Sequence, residues 1–506
     1  MKSAAAATVL ALALQGASAA AAPKHPECCT ALAKEPSLQG KVFAPNSAAY
    51  DARLASYYSA NAAQAPWCMV MPTSTQEVSD LVKILSAKQC PFGMRSGAHS
   101  AWAGSNGIKD GVTVDFSNMN TTTYDASTQL ASIQPGSTWE LVFNTLDPHN
   151  VTAVGGRASV VGVGGFTTGG GSVSVQYSFH TGQRGFACDN VENFEVVLAD
   201  GSVVNANAQE NSDLWKSLKG GSGNFGFVTR IDQQHPGTFP SNTVWGGLQT
   251  YEFPAKKQAV FDAYDNFVVN NNDDASQNII SCIYNKNGMF LVSVLSNSDS
   301  DPQAAAFEEW RSVVPASTSA RVDRIAKLVP DFTGPTPLGL FANWMVGQTA
   351  HDRRIMDFVN EKEVEYVEKM KAAAPGADFE VLVQFQPVTQ GMVQRSLERG
   401  GNVLGLESVV ADGPTLMWMI ALTVDTAANQ EHILPLALEY RDAINAYAEE
   451  IGVQKNWQFL NYAFKDQEPI SLYGAENIKL LKDTSAKYDP AQIFQTLRQT
   501  GFKLPA

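Results

Sequence analysis

A dense run of glycines at residues 155–171, with the sequence GGRASVVGVGGFTTGGG, constrains this chain more than any other stretch. Glycine loses the most backbone entropy on folding, so such a run indicates backbone held in special conformations or pressed against a ligand. A flexible linker is the alternative, but Val160, Val161 and Val163 lie between the glycines, whereas linkers are poor in β-branched residues. The run therefore predicts a buried strand that lines the binding site of a large, flat or phosphate-bearing ligand.

Two more glycine clusters, RSGAH at residues 95–99 and GGSGNFG at residues 220–226, predict that one ligand is held from several sides. The second cluster contains the G-x-G-x-x-G pattern of nicotinamide-dinucleotide sites. A helix is predicted before it and a strand after it, which reverses the order of a Rossmann unit, so we reject that fold. The phosphate loop G-x-x-x-x-G-K-[ST] and the nucleophile elbow G-x-S-x-G are both absent from the sequence.

The 506 residues exceed what one hydrophobic core usually organises, so two domains are expected. With 44% hydrophobic and 17% charged residues the chain is globular. The net charge of −14 argues against nucleic acid as a partner, because phosphate contacts need clustered lysine and arginine.

The first 22 residues have a positive start, an apolar stretch and a small-residue cleavage region, which predicts a secretory signal peptide and a secreted, extracellular protein. No later stretch approaches the roughly 20 apolar residues of a membrane span, so no membrane contact is expected. In a secreted chain, Asn120 and Asn150 begin sequences that fit the N-glycosylation pattern.

Export permits disulfides, and the chain has six cysteines. We predict that the adjacent Cys28 and Cys29 pair with Cys68 and Cys90, in an order that the sequence leaves open. The other two are predicted to be buried free thiols: Cys188 and Cys282. No C-x-x-C or H-E-x-x-H pattern is present, so no metal site is predicted.

Periodicity and turn signals predict short elements up to a change near residues 234–237 and longer ones after it. In the first part we predict helices at residues 74–85, 138–146 and 212–219 and strands at 90–94, 111–116, 130–134, 192–198, 202–205 and 225–231. In the second part we predict strands at 289–295, 379–385 and 415–424 and helices at 256–269, 352–373 and 430–451. Long strands alternating with long helices favour an antiparallel sheet with helices on one face, giving an α+β domain.

Taken as an ordered set, several motifs resemble the FAD-binding domain of the vanillyl-alcohol oxidase superfamily (PCMH type), and most closely the secreted fungal berberine-bridge-enzyme-like oxidases. The motifs are RSGAHS at residues 95–100, VGVGG at 161–165, GGG at 169–171, CDNV at 188–191, EVVLADG at 195–201 and NFGFVT at 224–229. The segments NYA at 461–463, YG at 473–474, KYDP at 487–490 and IF at 493–494 resemble the closing segment of that family.

The resemblance implies a two-part FAD-binding domain plus an α+β substrate domain with an antiparallel sheet. The expected divisions are a signal peptide at residues 1–22, the N-terminal part of the FAD domain at 23–235, the substrate-binding domain at 236–455, and a C-terminal segment returning to the FAD domain at 456–506.

His99 lies on a glycine loop whose backbone N–H groups can hold a phosphate while the imidazole faces the ligand, although a satisfied structural histidine is the alternative. The resemblance implies that His99 forms an 8α-histidyl bond to FAD. Many relatives add a bond from a cysteine, but that position here is Ala158, so one covalent bond is expected. The other cofactor-binding residues implied are Arg95, Ser96, Gly97, Ala98, Ser100, Val161, Gly162, Gly165, Gly169, Gly170, Gly171, Val191, Gly226 and Val228.

Tyr462 is the position implied for the catalytic base that takes the substrate hydroxyl proton, and a core tyrosine is the alternative. A second family tyrosine is replaced here by Ala101, so the substrate does not transfer from the family. The residues expected to line the substrate pocket are Trp102, Gln384, Gln386 and Trp418, with core packing as the alternative for Trp418.

The expected function is hydride transfer from an alcohol or carbohydrate to covalent FAD, with O₂ reduced to H₂O₂, by a protein expected to be a monomer. Val161 occupies the position where valine accompanies oxidases and a bulkier side chain accompanies dehydrogenases. A dehydrogenase with another electron acceptor, and a non-catalytic flavin- or glycan-binding protein, are the alternatives.

Overall fold

The computed structural model describes residues 25–171, 179–234 and 242–506. The expected signal peptide and the expected domain boundary at residues 235 and 236 lie outside these ranges. Within them, no helix is long and apolar enough to cross a membrane. In the same ranges, no group of three His, Cys, Asp or Glu side chains is placed to hold a metal ion.

The first part of the chain consists of short strands and helices. They are α1 (His25–Lys34), β1 (Val42–Phe43), α2 (Ala48–Leu54), β2 (Cys68–Val70), α3 (Thr75–Ala87), β3 (Phe92–Arg95), β4 (Val112–Asp115), β5 (Thr122–Asp125), β6 (Leu130–Ile133), α4 (Trp139–Leu146), α5 (Val163–Thr168), α6 (Thr181–Arg184), β7 (Val191–Val197), β8 (Val203–Asn207), α7 (Ser212–Leu218) and β9 (Phe227–Gln234). The predicted start of α3 is confirmed, since the Ser74 side chain accepts a hydrogen bond from the Glu77 N–H and caps the helix.

These strands form two sheets in the described residues. One has the order β1-β2-β4-β3, with β4 parallel to both β2 and β3. The other has the order β5-β6-β9-β7-β8 and is antiparallel. Its β7–β8 hairpin was predicted from Ala199-Asp-Gly, and Gly201 indeed has a φ of +83° at the turn, where a side chain would be strained.

The strand predicted across Val160, Val161 and Val163 is wrong. Gly162 makes one isolated antiparallel bridge with Thr138, and helix α5 begins at the next residue. Two hydrogen bonds make this bridge, from the Val163 N–H to the Ser137 carbonyl at 2.9 Å and from the Trp139 N–H to the Val161 carbonyl at 3.1 Å, and the chain enters α5 directly after it.

The second part of the chain has longer elements. They are β10 (Thr243–Glu252), α8 (Lys257–Asn270), β11 (Ser276–Asn285), β12 (Gly288–Asn297), β13 (Ser317–Thr318), β14 (Arg321–Arg324), α9 (Ile325–Thr333), β15 (Phe341–Ala350), α10 (Arg353–Ala373), β16 (Phe379–Val388), α11 (Gln390–Glu398), α12 (Leu406–Val409), β17 (Thr415–Val424), α13 (Ala427–Glu450), β18 (Gln454–Lys455), α14 (Ala475–Tyr488) and α15 (Ile493–Thr496).

In the described residues, nine of these strands form one sheet with the order β13-β10-β12-β11-β16-β17-β15-β18, and β14 also pairs with β10. Every pairing in it is antiparallel. This sheet, together with its helices, confirms the predicted α+β fold class.

The two faces of the nine-stranded sheet bury different cores, because successive side chains of a strand point to opposite faces. On β17, Trp418 and Ile420 pack in the core that also contains Ile355 of α10 and Ile433 of α13. Met417 and Met419 point the other way, into the core shared with the glycine-rich part of the chain. The sheet therefore presents one face to its own helices and the other to the candidate site.

The end of the chain returns to the first two sheets. The rings of Phe92 on β3, Phe227 on β9 and Phe494 on α15 lie with centroids 5.3 to 5.8 Å apart. The Phe92 N–H donates to the Leu497 carbonyl, and the Gln499 N–H donates to the Phe92 carbonyl, both at 2.9 Å. The C-terminal segment is thus built into the glycine-rich half of the molecule.

Two disulfides join α1 to the four-stranded sheet. Cys28 pairs with Cys90, and Cys29 pairs with Cys68. The predicted cysteine set is confirmed, and the structure supplies the order. Cys188 and Cys282 are free and buried, as predicted.

The pairing order gives a thiol-counting test with matched double variants. Cys29→Ala with Cys68→Ala removes one bridge cleanly, so unfolding without reduction exposes two alkylatable cysteines, Cys188 and Cys282. The crossed variant, Cys29→Ala with Cys90→Ala, strands one partner of each bridge and exposes four. Equal thiol counts in the two variants would contradict this order. We expect the first variant to lose about 3 to 4 kcal/mol of unfolding free energy.

Candidate active site

A deep cavity lies between the glycine loops, the C-terminal tail and the nine-stranded sheet. Its volume, open mouth included, is about 1180 Å³. Twelve residues expected to bind the cofactor or substrate line it: Arg95, Ser96, Gly97, Ala98, His99, Ser100, Trp102, Val161, Gly162, Gly165, Gly226 and Val228. The structure therefore brings residues of all three glycine clusters, 95–99, 155–171 and 220–226, to one cavity.

Two glycine loops cross at the floor of this cavity with their backbones in contact. A Cβ placed on Gly97 would lie 2.4 Å from the Gly162 nitrogen, and one on Gly162 would lie 2.2 Å from the Gly97 nitrogen. Neither position has room for a side chain. Gly165, one turn later on α5, is different, because a Cβ there would meet nothing within 4 Å and would project into free space at the cavity wall.

The side chain of Arg95 supports the loop rather than a ligand. The guanidinium donates to the Arg53 carbonyl at 2.5 Å and to Ser56, lies 3.9 Å from the Tyr57 ring centroid, and is 3.5 Å from the Asp115 carboxylate. Arg95 is 1% exposed. These contacts place the backbone that follows Arg95, and its role in cofactor binding stays a prediction.

His99 lies at the end of the same loop and has two aromatic rings beside it. Tyr58 stacks on it with ring centroids 4.1 Å apart and planes 20° apart, and Trp344 lies 5.4 Å away. Burial lowers the pKa of His99 to about 4, so the imidazole is neutral at ordinary pH. A neutral imidazole retains a lone pair and can act as a nucleophile.

Tyr462 lies behind the cavity wall formed by its neighbours Leu460 and Asn461. Its ring contacts Trp344 edge-on at 5.5 Å, so Trp344 separates it from His99. The Tyr462 hydroxyl is buried, and in the described part of the chain it has no hydrogen-bond partner. Burial raises the pKa of Tyr462, and the positive charge of Arg157 opposes that rise.

The C-terminal tail supplies a wall that the sequence analysis missed, formed by Arg498, Thr500, Gly501 and Phe502. Arg498 is 3% exposed and donates to the Asn224 side chain at 2.6 Å and to backbone carbonyls, including that of Phe502. Burial lowers the pKa of Arg498 to about 9. The available sequence signal was a pair of basic residues, Arg498 and Lys503, in an otherwise uncharged tail.

Several expected site residues lie elsewhere. Gly170 and Gly171 have positive φ values and turn the chain, and Gly169 packs against the Asn461 side chain. Val191 begins β7, where its carbonyl accepts a hydrogen bond from Trp215. None of these four is among the residues lining the described cavity.

The expected substrate residues on the nine-stranded sheet divide between its faces. Gln384 and Gln386 are buried on the face toward the candidate site, where Gln386 donates to Gln384 and Gln384 donates to Ser281, both at 3.0 Å. They lie outside the lining of the described cavity. Trp418 points to the helix-covered face and is fully buried there, so its expected place in the pocket is corrected to core packing.

Comparisons with known proteins agree with this architecture. Residues 66–207 match the model of an FAD binding domain. The FAD-dependent monooxygenase sdcF of Emericella nidulans is 34% identical over 494 residues, which cover 94% of this chain and 98% of that protein. The FAD-dependent monooxygenase drtC of Aspergillus calidoustus is 33% identical, covering 94% of this chain and 90% of that protein.

Solved structures share the fold at lower identity. 6-Hydroxy-D-nicotine oxidase of Arthrobacter nicotinovorans superposes with a TM-score of 0.73 at 19% identity, covering 94% of this chain and 99% of that one. Xylooligosaccharide oxidase of Myceliophthora thermophila, in complex with xylobiose, gives 0.73 at 18% identity, covering 95% and 100%. Fold and cavity thus define an FAD-dependent oxidoreductase. The chain belongs to the family of FAD-dependent monooxygenases that drtC and sdcF represent, and it shares the fold of a berberine-bridge-enzyme-like protein of Physcomitrella patens, with a TM-score of 0.73 at 15% identity.

The residues of the cavity fit FAD. The open space beside Gly165 is a cradle that any side chain would fill, and the crossing of Gly97 and Gly162 exposes backbone at the floor. The Ser105 and Asn106 side chains line the cavity with oxygens that have no partner in the described residues. Arg498 places a buried positive charge at the same cavity, which suits a phosphate-bearing group. When bound, FAD supplies the hydride acceptor.

The open space at Gly165 gives a direct test of this cradle. Gly165→Leu fills it without touching protein atoms, so we expect FAD binding to weaken about tenfold to hundredfold while thermal stability is kept. Bound flavin per chain is measured by absorbance. Gly391→Leu is the control, because Gly391 is also an exposed helical glycine with space around it but lies outside the cavity. Equal flavin content in both variants would exclude FAD from this space.

Proposed function

We propose that this protein is a secreted oxidase in which a substrate alcohol gives a hydride to covalently bound FAD, and O₂ takes up the electrons to form H₂O₂. The observation that carries the proposal is the cavity, which is lined by a neutral, ring-stacked His99 and by Trp344, with the ring of Tyr462 in edge-on contact with Trp344 behind that wall. Residues 23–235 and 456–506 hold the cofactor in this proposal, and residues 236–455 hold the substrate.

His99 is the attachment point for FAD in this proposal. Ala158 cannot form a second covalent bond, because its side chain has no nucleophile. In this proposal, FAD is therefore held by one covalent bond.

Tyr462 acts as the base. Its hydroxyl has an unused hydrogen-bonding capacity in an apolar setting, where an unsatisfied polar atom carries a cost that a substrate hydroxyl relieves. Burial raises the pKa of Tyr462 and so keeps its hydroxyl protonated in the free protein, and the positive charge of Arg157 opposes that rise. In this proposal, Arg157 therefore aids proton uptake by Tyr462 as hydride leaves the substrate carbon.

The substrate is a hydrophobic alcohol in this proposal rather than a sugar. Trp344 and Leu460 line the cavity between His99 and Tyr462. Val346 and Met419 are apolar neighbours on the same face of the sheet. A sugar needs several hydrogen-bonding groups in this place, whereas an apolar wall suits an aromatic or aliphatic alcohol. The carbohydrate oxidases of similar fold keep the sugar as the alternative.

A second candidate is oxygen insertion into the substrate. The observation in its favour is that the relatives sharing about a third of their residues with this chain are named FAD-dependent monooxygenases. A dehydrogenase that passes electrons to a quinone or dye is the remaining alternative.

Three readouts on one substrate panel separate these functions. The panel contains hydrophobic alcohols, phenolic alcohols and oligosaccharides, and the assays follow O₂ uptake, H₂O₂ release and incorporation of ¹⁸O from ¹⁸O₂. An oxidase releases one H₂O₂ per O₂ and incorporates no label. Label in the product supports the monooxygenase, and reduction of a dye without O₂ uptake supports the dehydrogenase. If no compound of the panel reduced the flavin, this result would count against alcohols as the substrate class.

The proposal also includes secretion and N-glycosylation of the protein. The two disulfides suit an oxidising compartment. Asn120 and Asn150 are both exposed, which leaves them accessible to a glycan. The protein acts as a monomer in this proposal.

Replacing the base tests its role. Tyr462→Phe removes only the hydroxyl, so we expect flavin reduction by substrate to slow by about 10²- to 10⁴-fold, with little change in substrate binding. Stopped-flow absorbance under anaerobic conditions measures both. Tyr473→Phe is the matched control, because Tyr473 is an equally buried tyrosine of the same segment whose hydroxyl donates to the Gly220 carbonyl. A Tyr462→Phe variant that is reduced as fast as Tyr473→Phe would remove Tyr462 from the chemistry.

Val161 tests the choice of electron acceptor. It lines the cavity and is 5% exposed, so a longer side chain narrows a space no larger than O₂. We expect Val161→Leu and Val161→Ile to slow the reoxidation of reduced flavin by O₂ while flavin reduction is unchanged. Rapid mixing of reduced protein with O₂ measures the rate. A slow wild type would favour the dehydrogenase, whereas variants as fast as a fast wild type would remove Val161 from the control of the reaction with O₂.

A further inference from the structure

The ring of Tyr58 forms the closest aromatic contact of His99. The two rings are 4.1 Å apart and nearly parallel, and the Trp344 ring lies 5.4 Å from both. An imidazole in contact with a parallel ring and a tilted one has little freedom to rotate about its χ2 torsion. The edge of the ring, which carries the nitrogen atoms, is therefore held in one direction.

The segment that carries Tyr58 is hydrogen-bonded to two walls of the site, the glycine loop and the nine-stranded sheet. Its backbone N–H donates to the carbonyl of Ala98, the residue before His99, at 3.1 Å. The next residue, Ser59, donates from its hydroxyl to the Ala342 carbonyl on β15 at 2.9 Å. The stacked ring thus stands on a segment that spans from the glycine loop to the nine-stranded sheet, rather than on a free loop.

The environment of the imidazole contains no described charge that would protonate it. Tyr58 and Trp344 are both uncharged, and burial raises the pKa of Tyr58 to about 12. Burial alone lowers the pKa of His99. The stacked pair therefore keeps its lone pair available and its ring orientation fixed, which are the two requirements of an attacking nitrogen.

We propose that Tyr58 is a positioning residue for covalent attachment of the cofactor, acting by holding the His99 ring in the orientation in which its nitrogen meets the 8α carbon of FAD. This inference rests on the proposed function, because it assumes the bond at His99. In the step, an N–C bond forms while one N–H bond of imidazole and one C–H bond of the 8-methyl group break. The two electrons and two protons are taken up by the flavin, and O₂ reoxidises it to give H₂O₂.

Two substitutions of Tyr58 distinguish the effect of ring stacking from the effects of the hydroxyl group and of side-chain volume. Tyr58→Phe keeps the ring face, whereas Tyr58→Met fills a similar volume with a flexible chain that has no ring. We expect Tyr58→Phe to attach FAD at the wild-type rate and Tyr58→Met to attach it about threefold to tenfold more slowly. The assay incubates each purified protein, expressed with limited riboflavin, with FAD, and follows the acid-stable flavin and its fluorescence in denaturing gels.

A matched control uses an aromatic pair outside the site. Tyr124 and His149 have ring centroids 5.2 Å apart near the surface, so Tyr124→Met removes a tyrosine from a histidine without touching the cavity. It is expected to attach FAD at the wild-type rate. Total flavin, before acid, is measured in all variants, because a positioning role leaves non-covalent binding of FAD intact.

The outcomes distinguish this inference from the proposed function. Wild-type protein that releases all its flavin in acid, or His99→Ala that keeps acid-stable flavin, would overturn the bond at His99 and this inference with it. Wild-type attachment together with an equally fast Tyr58→Met would overturn the inference alone. A slow Tyr58→Phe that still binds FAD would assign the effect to the hydroxyl and would also overturn it.

Discussion

The close contact between Gly97 and Gly162 is the constraint on which the rest of the structure depends. Two loops that are far apart in sequence cross with no side chain between them, so the space that a Cβ would occupy is taken by backbone. The crossing fixes where each loop can go next: one leads to His99 and the other into α5 and Gly165. A cavity whose floor is main chain keeps its shape with little dependence on rotamers, which suits a cofactor with a flat ring and a charged middle.

Much of this fold could be predicted from the sequence because its signals are local. The helix predicted from Ser74 and the strand predicted over Thr415–Val424 are single elements, and the structure reproduces both. The residues between Val160 and Val163 were predicted as a strand, since their β-branched pattern carries no information about how far the pairing with Thr138 extends before α5 begins. Local pattern therefore predicts an element well only when its partners do not decide its conformation.

Site residues that belong to a sequence motif could be predicted, whereas those that only tertiary contacts bring to the cavity could not. The three glycine clusters and His99 were found because special backbone requires glycine. The role of Trp418 was undecided because alternation shows that two faces exist but not which one the helices cover. Tyr58 and Arg498 stand far from the glycine run in sequence, and only folding brings a stacked ring and a buried cation to the same cavity.

The tail wall formed by Arg498, Thr500 and Phe502 also sets the order of events in biosynthesis. These residues follow every other residue of the cavity lining, so they leave the ribosome last. A nascent chain can form the crossed glycine loops and the nine-stranded sheet while its cavity still lacks one side. The cofactor is therefore enclosed on this side only after translation of the tail.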